Sequence, residues 1–193
     1  MDKRYRMVRS ALTLAAAQGV SRMSLRDVAA ESGVSLGLVQ YYFGTKAALV
    51  AAVDDHVLGV VSQILQSGVP RDCRGPAQLQ NLFAQLMFRD QDALAYLARA
   101  LGDGDPVGAV LFDRLVEVSP ARSRTETDWP VAQNADPLWS AMNLVILGLG
   151  TIMFRHHVER VLGHPLDAPA QLARWAGATT SLLQDGYFSR ENK

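Results

Sequence analysis

Between Ser24 and Lys46 the chain reads Ser-Leu-Arg-Asp-Val-Ala-Ala-Glu-Ser-Gly-Val-Ser-Leu-Gly-Leu-Val-Gln-Tyr-Tyr-Phe-Gly-Thr-Lys. This segment restricts the fold more than any other. Two runs with helical apolar spacing, each preceded by a serine, are separated by one glycine. Ser24 and Ser35 stand where a hydroxyl can accept from the exposed backbone N–H groups of a helix start. Gly33 stands where the chain must turn sharply, through a positive φ that glycine adopts without steric penalty. The pattern predicts one helix from Leu25, a second over Leu36 to Tyr42 and a third that Thr45 caps. Leu25, Val28, Ala29, Val34, Val39 and Phe43 share a stripe and make its small core. Leu36, Gly37, Leu38, Gln40, Tyr41 and Tyr42 are left facing outward. A plain helical hairpin with two surface tyrosines fits this layout; so does a helix-turn-helix whose second helix enters a DNA groove.

Charge distribution separates these alternatives better than total charge does. The 193-residue chain is formally neutral. Residues 1 to 50 carry seven basic side chains (Lys3, Arg4, Arg6, Arg9, Arg22, Arg26, Lys46) against three acidic ones, a net of +4, so the remainder carries −4. Asymmetry of this kind is the electrostatic footprint of a DNA-reading head on a body with another task. Lys3, Arg4 and Arg6 read equally as a basic arm toward the DNA and as a solvated helix end.

Leu25-Arg26-Asp27-Val28-Ala29, then Gly33-Val34-Ser35, then Tyr42-Phe43-Gly44-Thr45-Lys46-Ala47-Ala48-Leu49 resemble the amino-terminal DNA-binding domain of the TetR family of transcriptional regulators. The resemblance covers roughly residues 5 to 55; beyond them the chain matches only in being helical. It departs at Tyr42, where the family often has histidine; a tyrosine hydroxyl can still donate to a phosphate oxygen. The resemblance implies that Leu36, Gly37 and Leu38 lie nearest base edges, where apolar groups touch thymine methyls. Gln40 can pair with an adenine edge. Ser24, Arg26, Tyr41, Tyr42, Thr45 and Lys46 suit phosphate contacts, and the N–H groups after Ser35 suit another.

Periodicity elsewhere is helical throughout, so the expected fold is all-α with about nine helices: a helix-turn-helix domain over residues 1–46 and a helical ligand-binding and dimerisation domain over 47–193. The first helix runs from about Asp2 to Gln18 and the fourth from Thr45 to Gln66. One or two follow Pro76 up to Gly102, another covers Val107 to Val118, and residues 119 to 137 read as a loop. Pro137 to Leu162 and Ala168 to Tyr187 close the chain. The apolar run Leu144 to Phe154 is too short to cross a bilayer and reads as a buried helix, so no membrane partner is expected.

The Pro137–Leu162 helix is apolar nearly all round and needs partners on every side. The final helix mixes apolar groups with small residues that permit close approach. Val145, Leu149, Ile152, Leu172, Trp175, Ala176, Thr179 and Leu183 are therefore candidates for a two-fold dimer interface of four helices, the family's usual arrangement; a fully intramolecular core is the other reading. Candidate ligand-binding residues are Phe83, Met87, Phe88, Tyr96, Phe112, Trp129, Trp139, Met142, Asn143, Ile146 and Met153, a set that also fits plain core. Their apolar bias favours a hydrophobic small-molecule effector.

The expected partners are then a palindromic double-stranded operator, a second copy of the chain and that effector, with no cofactor, in the cytoplasm. Repression released by the effector is the outcome the resemblance favours. A ligand-independent DNA-binding or protein-interaction dimer is the main alternative. A metal-dependent enzyme is the remotest, because adjacent His156 and His157 diverge by about 100° on a helix and no further ligand set completes a site. Cys73 stands alone, so a redox switch there has little support beyond Arg71 and Arg74.

Overall fold

The computed structural model describes residues 2–66, 90–119 and 136–185, and every regular element among them is an α-helix. In chain order these are α1 (Lys3–Gln18), α2 (Leu25–Ser32), α3 (Leu36–Phe43), α4 (Lys46–Gln66), α5 (Gln91–Asp103), α6 (Pro106–Glu117), α7 (Pro137–Met153), α8 (Arg155–Leu162) and α9 (Pro169–Asp185). Cys73, Phe83, Met87, Phe88, Trp129 and the part of the expected helical stretch between Pro76 and residue 89 lie outside the described residues; α5 covers the rest of that stretch.

Two compact units divide the chain: Met1–Gln63 with Asp90–Leu111, and Ile64–Arg89 with Phe112–Lys193. In the first, α1 packs on α2 and on α5, and α2 packs on α3. Its core is dry. Met7, Ala11 and Leu12 of α1, Val28 of α2, Val39 of α3 and Leu49 and Val57 of α4 have no solvent exposure. Each such burial of a large aliphatic group contributes about 1.5–3 kcal/mol. Of the six residues expected in the small core, Val28, Ala29, Val39 and Phe43 are buried, and Leu25 and Val34 are half-buried.

Helix α4 is long and apolar enough over Lys46–Ile64 to cross a membrane by length and composition. Its stripe Leu49, Val53, Val57 and Val61 is instead buried in the protein, and Asp54, Asp55 and His56 sit at its middle. Charges there are expensive in lipid, so we read it as a core helix. Between α5 and α6 the backbones nearly touch: a Cβ on Gly108 would lie 2.8 Å from the Ala100 carbonyl carbon. Only glycine lets α6 start there.

In the second unit, Ala141, Leu144, Val145, Leu149 and Ile152 form the buried stripe of α7. The expected single helix from Pro137 to Leu162 is not observed. It breaks at Phe154, and α7 and α8 meet at 70°. Two glycines, Gly148 and Gly150, weaken the helix just upstream. The Thr151 hydroxyl donates back to the Leu147 carbonyl at 3.0 Å, a contact that bends helices. Beyond the break, Arg155 donates to Glu159 at 2.7 Å and to Asp167 at 3.1 Å, and the Leu166 N–H donates to Glu159 at 2.8 Å. That cluster fixes α8 against the turn carrying fully buried Leu166. Trp175 of α9 donates from its indole to Thr151 at 3.1 Å, tying α9 to α7.

Candidate nucleic-acid interface

Local chemistry sets the helix-turn-helix before any long-range packing. Ser24 accepts from the Asp27 N–H at 3.2 Å, and the Asp27 carboxylate accepts from the Ser24 N–H at 2.9 Å and the Ser24 hydroxyl at 2.7 Å. This reciprocal box satisfies the first turn of α2. Those two donations from Ser24 hold the Asp27 carboxyl below its ordinary value. At the other end Gly33 adopts φ +64°, ψ +38°, and its N–H and that of Val34 close the helix on Ala30 and Ala29. Ser35 then caps α3 by accepting from the Leu38 N–H at 3.2 Å, and Thr45 caps α4 by accepting from the Ala48 N–H at 3.2 Å.

With Val39 and Phe43 anchored in the core, α3 turns a defined face outward. Gly37, Gln40, Tyr41 and Tyr42 are exposed, Tyr41 at 82%, while Leu36 and Leu38 are half-buried at the margin. No side chain stands over Gly37, since a Cβ there would meet nothing within 4 Å. A DNA backbone or base edge can approach this turn closely. Tyr41 and Tyr42 pack edge to face, with centroids 5.6 Å apart, so each hydroxyl is carried by a ring its neighbour restrains.

Not every candidate phosphate donor is free to act as one. Ser24 has both its hydroxyl and its N–H committed to Asp27. Lys46 donates to the Ser21 carbonyl at 3.0 Å, bracing the turn before α2 and keeping its remaining N–H groups for another partner. Arg26 is exposed on the first turn of α2.

Sequence reasoning missed the contacts that hold this head to α5, because they join residues far apart in sequence. Arg9 pairs with Asp90, whose other oxygen caps α5 through the Ala93 N–H at 3.1 Å. Thr13 donates to Asp92 at 2.6 Å. Tyr96, expected in a ligand site, is buried and donates to Asp54 of α4 at 2.6 Å. Burial raises the pKa of both groups, the Asp54 carboxyl and the Tyr96 phenol alike, and the hydrogen bond pushes the phenol further up. His56 is held below its ordinary value first by burial and then by Arg9.

In the second unit, Trp139, Asn143, Ile146 and Met153 form the exposed face of α7, with Met142 half-buried beside it. Val145, Leu149 and Ile152 are buried within the protomer, as are Leu172 and Thr179 of α9. Trp175, Ala176 and Phe112 are half-buried, and Leu183 lies in the last turn of α9. Among the described residues no three His, Cys, Asp or Glu side chains group as a metal site.

Residues 8–53 match the sequence model of the family described as bacterial regulatory proteins, tetR family. Over 125 residues the chain is 36% identical to a helix-turn-helix transcriptional repressor of Mycobacterium tuberculosis; the match covers 63% of this chain and 60% of that protein. A helix-turn-helix transcriptional regulator of Mycobacterium bovis matches to the same extent. The chain thus matches less than two thirds of the length of these relatives. A TetR-like transcriptional regulator from Rhodococcus sp. RHA1 superposes with a TM-score of 0.69 at 21% identity, covering 95% of this chain and 94% of that one. A gamma-butyrolactone receptor superposes at 0.62 with 22% identity, over 94% and 96%. These two likenesses show the fold.

Proposed function

We propose that this chain, which belongs to the TetR family, is a sequence-specific DNA-binding repressor that a hydrophobic small molecule releases from its operator. The observation that carries the reading is the outward face of α3: Gly37, Gln40, Tyr41 and Tyr42 exposed on a helix capped by Ser35 at its start and Gly44 at its end. Residues 1–46 are the DNA-binding domain and 47–193 the ligand-binding and dimerisation domain. Leu36, Gly37, Leu38 and Gln40 meet base edges; Arg26, Tyr41, Tyr42, Lys46 and the helix start at Ser35 meet phosphates, and Thr45 lies beside them.

A two-fold dimer places two such heads on one DNA face about 34–36 Å apart, one helical turn. Exposed Trp139, Ile146 and Met153 on α7, with Gly177 and Ala178 on α9, supply the surface for the second copy. An effector held by the second domain then acts on DNA affinity by preferring the released state, for which a few kcal/mol suffice. The relatedness of the fold to a gamma-butyrolactone receptor supports a small, largely apolar effector. The protein works in the cytoplasm and takes no cofactor in this reading.

The test is retention of sheared genomic DNA by the purified protein at about physiological salt, where non-specific phosphate binding is weak. A palindrome with half-sites one turn or a multiple apart is the expected product; fragments indistinguishable from random would overturn the reading. For the effector, calorimetry with a compound that dissociates the complex should give weaker binding in the presence of operator. Equal affinity with and without operator would remove the coupling.

A further inference from the structure

The basic residues of α1 differ in what they touch. Arg9 is committed to Asp90. Arg6 is half-buried, with its Nε enclosed in the protein. Lys3 is exposed and packs on no ring among the described contacts. Arg4 is also exposed, yet its guanidinium lies over the ring of Phe43, 5.5 Å from the centroid. Phe43 is the last residue of α3 and is buried in the head. No ion pair engages Arg4 among the described residues, and the neighbouring Asp2 carboxylate accepts from the Arg4 backbone N–H to cap α1.

From this we infer that Arg4 is a DNA phosphate contact, carried on α1 but positioned by the end of the recognition helix. The inference rests on the DNA-binding reading above and extends it to a residue outside the helix-turn-helix. Tyr41 meets Tyr42 at 5.6 Å, Tyr42 meets Phe43 at 6.4 Å, and Arg4 lies on Phe43. Four side chains from two helices thus form one continuous row, and three of them carry hydrogen-bond donors on its exposed edge. A guanidinium held over a ring face by a cation–π contact keeps the N–H groups directed away from the ring open to a phosphate. A cation already restrained by a ring also loses less freedom on binding than a free one.

The experiment is a salt titration with a fluorescent 30-base-pair duplex of random sequence, read by anisotropy between about 50 and 300 mM NaCl. Because each neutralised phosphate adds about 0.9 to the slope of log K against log salt, Arg4→Ala should lower that slope by about 1 per bound protomer. Arg4→Lys should restore the slope, since it returns the charge. Arg160→Ala removes an exposed basic side chain of α8 and should leave the slope unchanged, separating a local contact from a change in net charge. An Arg4→Ala slope equal to that of the unaltered protein overturns the inference while leaving DNA binding standing. An unaltered protein with no salt-dependent binding overturns the DNA-binding reading itself. Thermal melts identical across the variants confirm that the comparison is between folded proteins, and Arg4→Gln serves if Arg4→Ala melts early.

Discussion

The two units of this chain solve the problem of apolar surface in opposite ways. The first, which contains α1 to α3, buries most of its large aliphatic groups and exposes many side chains that can hydrogen-bond, among them Gln40, Tyr41, Tyr42, Arg4 and Arg26. The second leaves Trp139 58%, Phe154 59% and Val161 75% exposed, and α8 has no buried residue at all. A closed core with a polar face suits a rigid element that meets a charged polymer. An open apolar face suits an element whose packing is completed by another copy of itself. In the proposed reading, rigidity and assembly are allotted to different stretches of one chain.

Substitutions that empty the first core should show the largest effects. Leu49→Ala removes a side chain with no exposure and should cost about 2–5 kcal/mol in urea unfolding; a loss below about 1 kcal/mol would mean that the head is looser than described. Gly108→Ala drives a methyl into the Ala100 backbone, with an expected loss of about 1–3 kcal/mol by the same assay. Ser24→Ala breaks the reciprocal box with Asp27 and should cost about 1 kcal/mol. In the second unit the same kind of truncation should behave differently. Ile146→Ala, at an exposed position, should change unfolding of the isolated protomer by less than about 0.5 kcal/mol while weakening self-association in sedimentation velocity. If it destabilised the protomer as Leu49→Ala does, the contrast between the units would fail.

A pH dependence sharpens the comparison from the side of the second unit. Burial opposes ionisation of Glu159, but the Leu166 N–H and Arg155 outweigh it, so its carboxyl titrates below the ordinary value of 4.5. A depressed folded value means that the ionised form stabilises the fold. That stabilisation is complete above the ordinary value and disappears as pH falls through the folded one. Glu159→Gln should therefore lower stability at neutral pH and flatten the pH–stability profile below about 4.5. An unchanged profile would show that the cluster at the α7–α8 break carries no linkage.

Much of the head could be read from residues alone because its determinants are local. Ser24 and Asp27 lie three apart, Ser35 caps its own helix, and the positive φ at Gly33 follows from a one-residue turn. The break at Phe154 was not legible in the same way. No proline marks it, and what holds it is an arginine reaching Asp167 twelve residues on. The clamp of Arg9 on Asp90 spans 81 positions, and no periodicity predicts that distance. On α7 the apolar pattern is continuous round the helix, so it could not say which stripe faces inward. Val145, Leu149 and Ile152 are buried, and Trp139, Ile146 and Met153 are exposed. Tyr96 shows the same limit: its apolar neighbours on α5 give no sign that its hydroxyl donates to Asp54, 42 positions away.

The central claim is that the outward face of α3 reads DNA sequence. Its most direct test compares genomic fragments retained by the unaltered protein with those retained by a Gln40→Ala, Tyr41→Ala double variant of equal thermal stability. The account predicts a palindromic set for the former and its loss in the latter. Identical sets from both proteins, or no enrichment by either, would contradict it.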